Sequence, residues 1–222
     1  MKKIILSLGF ILYTVLGFSQ ALKPVKIDSL VTVSLPANFQ KKDTLGQQIY
    51  SGSGALGYIM VIKAKNADNN KPLNKERDLK KVFKNFADGI QKQSITGSIM
   101  NPRDTTIGSL EARVFTLRVD NSNSTGEAAQ LRNFILLYTQ EATYTFEYFY
   151  PEVRGALALP ELKEFSASIK VAPALNRKDQ YLSNSNGLSP GLKIGLFGGV
   201  PLIIIIVLVA SIRRKKRLAA EL

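Results

Sequence analysis

Residues 131–150 read LRNFILLYTQEATYTFEYFY. Two runs rich in aromatic and branched side chains, 131–139 and 142–150, flank the polar pair Gln140-Glu141. Such residues fit a pleated, half-buried surface, so the stretch predicts an antiparallel hairpin. In the second arm Tyr144, Phe146 and Tyr148 share one face, and Thr143, Thr145 and Glu147 share the other. A hairpin this long needs neighbouring strands to bury its apolar face.

The segments before it supply them. Residues 110–119 set Leu110, Ala112, Val114 and Thr116 against Phe115, Leu117 and Val119. Residues 94–101 read as another strand, leading through Pro102 to Thr106, with Arg103-Asp104 expected in a turn. Residues 29–35 alternate at Val31, Val33 and Leu35 and stop at Pro36. A short strand over 47–51 turns through Gly52-Ser53-Gly54 into a longer one within 55–65. Between these groups the period changes. Leu79, Val82, Phe83, Phe86 and Ile90 form the stripe of an amphipathic helix, with Asn74 as its expected N-cap and Glu76 and Asp78 at its positive end. A second helix is expected with Pro160 in its first turn and Leu162, Phe165 and Ile169 inward. Residues 168–171 close the domain as a strand or a helix end.

The two ends have another character. Residues 194–212 carry no charge over nineteen positions and are followed by Arg213, Arg214, Lys215, Lys216 and Arg217. A helix of that length covers about 28 Å, near the hydrocarbon thickness of a bilayer. The basic cluster sets the topology, with the tail cytoplasmic. At the other end Lys2 and Lys3 precede an apolar run to Phe18 and a small-residue exit at 17–19, the pattern of a cleaved signal peptide; an uncleaved anchor is the alternative. The chain is therefore divided into a signal peptide (1–20), an exported α+β domain (21–171), a polar stalk (172–190), a transmembrane helix (191–212) and a basic tail (213–222). The expected location is a bacterial inner membrane, single-pass, with the domain outside.

Composition narrows the function. The formal charge is +13, but residues 20–190 hold 22 Lys/Arg against 16 Asp/Glu, a balance of +6. No dense basic stripe interleaved with aromatics exists there, so nucleic acid is not an expected partner. Cysteine and histidine are absent from all 222 residues. Disulfides, Ser-His or Cys-His nucleophiles and thiolate or imidazole zinc sites cannot be built. Carboxylate chemistry and calcium remain, and neither finds a good frame. Residues 120–127 are rich in oxygen ligands, but a twelfth-position glutamate is missing, because Leu131 or Arg132 stands there. Glu147 and Glu152 are a weak acid–base pair in a domain with many acids. The lysines at 80, 81 and 84 read as a solvated helix face, and the row Tyr144, Phe146, Tyr148 as core.

Val33-Ser34-Leu35-Pro36-Ala37-Asn38-Phe39, then a hairpin, a long helix, an antiparallel meander with Thr143-Tyr144-Thr145-Phe146, a short helix and a final Ser168-Ile169-Lys170-Val171 form an order of elements. Over residues 26–171 it resembles the PsbP-like fold, named after an extrinsic photosystem II subunit. The resemblance implies an antiparallel sheet flanked by helices, and a family of assembly factors and domains mostly without catalytic residues. It carries over no site residue. The expectation is a membrane-anchored envelope protein without enzymatic activity or cofactor. Its outer domain is a binding or assembly module whose partners are the lipid bilayer and a protein of the envelope. The alternative is a small-ligand or lipid-binding accessory subunit of a membrane transport system.

Overall fold

A computed structural model describes residues 22–67, 72–94, 96–120 and 128–183. The proposed signal peptide, transmembrane run, basic tail and most of the 120–127 loop lie outside them. Among the described residues no helix is long and apolar enough to cross a membrane.

The chain forms β1 (Lys23–Lys26), β2 (Val31–Leu35), β3 (Gln40–Thr44), β4 (Gln47–Ser53), β5 (Tyr58–Lys65), α1 (Glu76–Gln93), β6 (Gly97–Ile107), β7 (Leu110–Val119), β8 (Gln130–Tyr138), β9 (Ala142–Pro151), α2 (Gly155–Ser168) and β10 (Lys170–Val171). The fold is α+β with wholly antiparallel sheets. Seven strands run in the order β3-β4-β5-β9-β8-β7-β6, and a small sheet runs β1-β2-β10. The hairpin over 131–150 is the centre of the large sheet, with Leu137 opposite Tyr144 and Ile135 opposite Phe146.

Both faces of that sheet are covered, but each only in part. On one face α1 packs over β6 and β7, seating Leu79, Phe83 and Ala87 against Phe115, Leu117, Phe134 and Leu136. On the other face α2 and the small sheet cover β9 and its neighbours. There Tyr144, Phe146 and Tyr148 meet Val31, Val33, Leu35 and Phe165 in the main core. Thr145 and Glu147, on the opposite face of the strand, are buried as well. Cover on both sides makes β9 a central strand rather than a half-exposed one.

Several boundaries differ from the sequence reading. α1 is capped at Lys75, not Asn74, because Asp78 Oδ2 accepts the Lys75 backbone N–H at 3.0 Å. Pro160 lies in the second turn of α2. The helical run opens instead at Pro151, through a 3-10 turn at Glu152–Arg154 that continues into the helix. Arg103-Asp104 is not a turn but the middle of β6, which passes through Pro102 with a bulge. β1 and β3 escaped the reading altogether.

The largest correction concerns the expected stalk. It does not begin at Ala172. Ala172 donates its N–H to Leu30 O at 2.8 Å, and Leu175 is buried in the main core. A 3-10 turn at Arg177–Asp179 follows, capped by Asn176. Gln180 and Tyr181 are then buried almost completely. Gln180 lies where β7 and β8 part at their ends. Its Oε1 accepts Glu111 N–H at 2.8 Å, while its Nε2 donates to Glu111 O at 2.7 Å and Tyr138 O at 2.9 Å. One amide thus satisfies three backbone groups that the ladder leaves open. Tyr181 packs on Leu79, Phe83 and Tyr138 and donates to Glu111 Oε1 at 2.8 Å. The packed unit runs to Leu182.

Candidate functional groove

α2 lies across β2 and β9 and stops short of the β6 edge. The uncovered outer half of that sheet face and the flank of α2 make a groove of about 640 Å³. Met100, Val114, Leu131, Ile135, Leu159 and Leu162 supply apolar walls. Met100 and Leu159 are 37% and 44% exposed, so the lips of the groove keep apolar surface in water.

The β6 bulge shapes this site. Met100 pairs with Thr116 and Arg103 with Val114, so three steps along β6 match two along β7. One extra residue reverses the alternation of side chains, because the strand period is two. Met100 lies on the groove face before the bulge, and Arg103, Thr105 and Ile107 lie there after it. Without the extra residue Arg103 would face the α1 side. Asn101 holds the bulge at φ 51, a left-handed conformation that asparagine tolerates better than most residues. Pro102 lacks an N–H and is placed where the ladder is already open.

Three polar side chains of the groove bond within the protein itself. Thr116 Oγ1 donates to Asn133 Oδ1 at 2.9 Å, and Asn133 Nδ2 donates to Tyr148 O at 3.3 Å. Ser166 Oγ donates back to Leu162 O at 2.7 Å. Arg103 and Lys163 stand at the rim without an acidic partner among the described residues, and no carboxylate lines the groove.

A second cavity, about 680 Å³, lies elsewhere on the domain and is lined by Asp28, Gln48, Lys63, Asn66, Tyr138 and Tyr144. Its groups are engaged in holding elements together. Lys63 Nζ and Tyr144 OH both reach Asp28 Oδ2 at 2.7 Å. Burial acts to raise the Asp28 pKa, but those two bonds and the N–H groups of Leu30 and Val31 outweigh it and hold the carboxyl below its ordinary range. Asn66 ties β5 to the β8–β9 turn through Thr139 O, Gln140 O and Thr143.

The other residues singled out in the sequence are dispersed. Glu147 is buried and paired with Arg132 at 2.5 Å, beneath a guanidinium that also lies over Phe134 and Phe149. Glu152 takes a forked contact from Arg118, 3.0 Å from Nε and 2.8 Å from Nη2, which holds its pKa down. The two glutamates serve separate ion pairs and do not form an acid–base couple. Lys80 and Lys84 pair along α1 with Glu76 and Asp88. Tyr144, Phe146 and Tyr148 are core. Among the described residues no three acidic side chains converge as a metal site would require. Arg213, Arg214, Lys215, Lys216 and Arg217 lie outside the described residues. None of the groove's residues was singled out as a site in the sequence. The groove's one signal was Asn101-Pro102 inside an otherwise strand-like run.

No family model matches the chain, and no curated protein matches it. Solved structures with a related arrangement include LpqN of Mycobacterium tuberculosis, described as involved in cell envelope biogenesis. It has 12% identity and a TM-score of 0.44, over 69% of this chain and 91% of that one. The Ran-binding protein Mog1p of Saccharomyces cerevisiae gives 10% identity and 0.41, over 69% and 96%. PA94 of Pseudomonas aeruginosa, of unknown function, gives 10% and 0.41, over 69% and 95%. At these scores and identities the likeness transfers neither partner nor activity.

Proposed function

We propose that the chain is a single-pass protein of a bacterial cell envelope, anchored through residues 191–212, whose outer domain is a non-enzymatic binding module of PsbP-like build. Arg213, Arg214, Lys215, Lys216 and Arg217 hold the tail on the cytoplasmic side in this reading. The observation that supports binding is the groove between α2 and the β6 edge. Its wall is apolar, with Met100 and Leu159 exposed at the lips, and Thr116 and Ser166 within it already bond to the protein. Such a surface is suited to holding a guest.

A photoreactive benzoylphenylalanine in place of Met100, in the full-length chain in intact cells, tests the groove. Irradiation should give one discrete adduct. The same residue at Lys84, on the opposite face, should give none, and Leu159→Trp should suppress the Met100 adduct by filling the groove. Equal labelling at both positions would remove the support for binding there. The adduct's mass separates two readings. A protein-sized partner indicates an assembly module. A mass below about 1 kDa indicates the second reading, a ligand-holding accessory subunit of a transport system, which the groove's volume favours because small-molecule sites span about 300–1,000 Å³. Topology has its own test. Protease added to spheroplasts should digest residues 22–182 and spare the tail, and full protection of the domain would overturn the orientation.

A further inference from the structure

We infer that the guest of the groove is a single-chain fatty carboxylate, an assignment that rests on the binding reading above and names its ligand. Two features of the site point to this chemistry. The first is the division between wall and rim. Met100, Val114, Ile135, Leu159 and Leu162 form an apolar wall, Thr116, Asn133 and Ser166 already bond within the protein, and Asn101, Thr105 and Thr106 lie toward the exposed rim. A guest lying along the apolar wall is favoured when it is apolar there, because it removes that surface from water. Met100 adds an adaptable surface, since an unbranched thioether conforms to a flexible chain.

The second feature is charge. Arg103 and Lys163 line the groove, and among the described residues neither has an ion pair and no carboxylate lines it, whereas Arg113, Arg118 and Arg132 elsewhere on the sheet each have an acidic partner. Arg103 reaches the groove face only because the bulge at Asn101-Pro102 reverses the alternation of β6. A planar guanidinium binds a carboxylate through two parallel hydrogen bonds, and the lysine adds a second positive charge. An apolar chain ended by one carboxylate matches both features. The groove's volume suits one small guest, and a neutral guest would leave both cations without a counter-charge.

The test uses the full-length chain reconstituted in phosphatidylcholine vesicles and a palmitate probe bearing a diazirine near mid-chain. After irradiation, peptides covering β6 and α2 should carry the probe, at Met100 or Leu159. R103E/K163E reverses two exposed charges and should lower that labelling about tenfold or more, the loss expected when charge-assisted hydrogen bonds are removed. Circular dichroism and the urea midpoint should stay unchanged. The matching diazirine alcohol, which has no carboxylate, should label the groove about tenfold less. Equal labelling by the alcohol, or no effect of R103E/K163E, would overturn the assignment. A lysophosphatidic probe that labels as strongly as palmitate would overturn the choice of carboxylate over phosphate. If palmitate fails while the Met100 photoadduct in cells persists, the carboxylate inference falls and the binding module stands. If both fail, both fall.

Discussion

Asp28 gathers four donors on one carboxylate. Leu30 and Val31 give backbone N–H groups to Oδ1 at 2.8 Å, and Tyr144 and Lys63 bind Oδ2. These bonds fix the β1–β2 turn to β5 and β9, so one side chain joins the small sheet to the large one. They also favour the charged form, which puts the pKa of Asp28 lower in the folded chain than in the unfolded one. A depressed carboxylate gives its full stabilisation above its ordinary pKa and loses it as pH falls through the lower folded value. The urea-midpoint gap between the native chain and Asp28→Asn should be constant near neutrality and shrink below about pH 4. A gap that persists into strong acid would show that the carboxylate's charge is not the source. Gln180 tests a different mechanism. Gln180→Leu keeps the volume but strands Glu111 N–H, Glu111 O and Tyr138 O, and buried unpaired groups cost about 1–3 kcal/mol each. A loss of about 3 kcal/mol or more is expected in urea unfolding. A loss below about 1 kcal/mol would mean that water reaches those groups.

At the scale of elements, the β3–β4 hairpin turns at Leu45 and Gly46, with φ 49 and 76. A two-residue turn with both angles positive matches the twist of the strands and normally takes Asn-Gly or Asp-Gly. Leucine in the left-handed region is strained by about 1–2 kcal/mol, and here the side chain is 98% exposed and gains nothing from burial. Leu45→Asn should therefore raise stability by about 1 kcal/mol, seen as a higher urea midpoint with an unchanged slope. A destabilised variant would show that Leu45 makes contacts that matter. The same physics explains what was legible. α1 declared itself through its stripe Leu79, Val82, Phe83, Phe86 and Ile90, which faces one sheet, and the 131–150 hairpin did so through its β-branched and aromatic content. β3 reads QKKDT, an edge strand held by backbone pairing to β4, and it has no apolar signal to find. β6 was misread at Pro102 because a proline argues against a strand unless a bulge receives it. The bulge depends on pairing with β7, which no local pattern records. The groove follows from where α2 stops, and that also is tertiary.

For the whole molecule, the closing segment carries weight out of proportion to its length. Tyr181 seals the cluster under α1, Leu175 enters the main core and Gln180 completes the β7–β8 ladder. Its polar, proline-bearing sequence gave no period, so it read as a stalk, although its bonds reach back to Leu30, Leu73, Glu111 and Tyr138. Truncating one large buried aromatic costs about 3–5 kcal/mol, and a domain of this size has about 5–15 kcal/mol in total. Removing Leu175, Gln180 and Tyr181 together therefore competes with the entire stability. A chain of residues 22–183 should unfold in one cooperative urea transition followed by circular dichroism. A chain of residues 22–171 should show none, or one shifted far toward zero urea. Tyr181→Phe separates the ring from its hydroxyl. It keeps the ring and loses the hydroxyl, whose pKa burial and the bond to Glu111 push up to about 12 against the opposing effect of Arg177, and should cost about 1 kcal/mol. If residues 22–171 unfolded at nearly the same midpoint as 22–183, the domain would end where the strands end, and the packing of the closing segment would be dispensable.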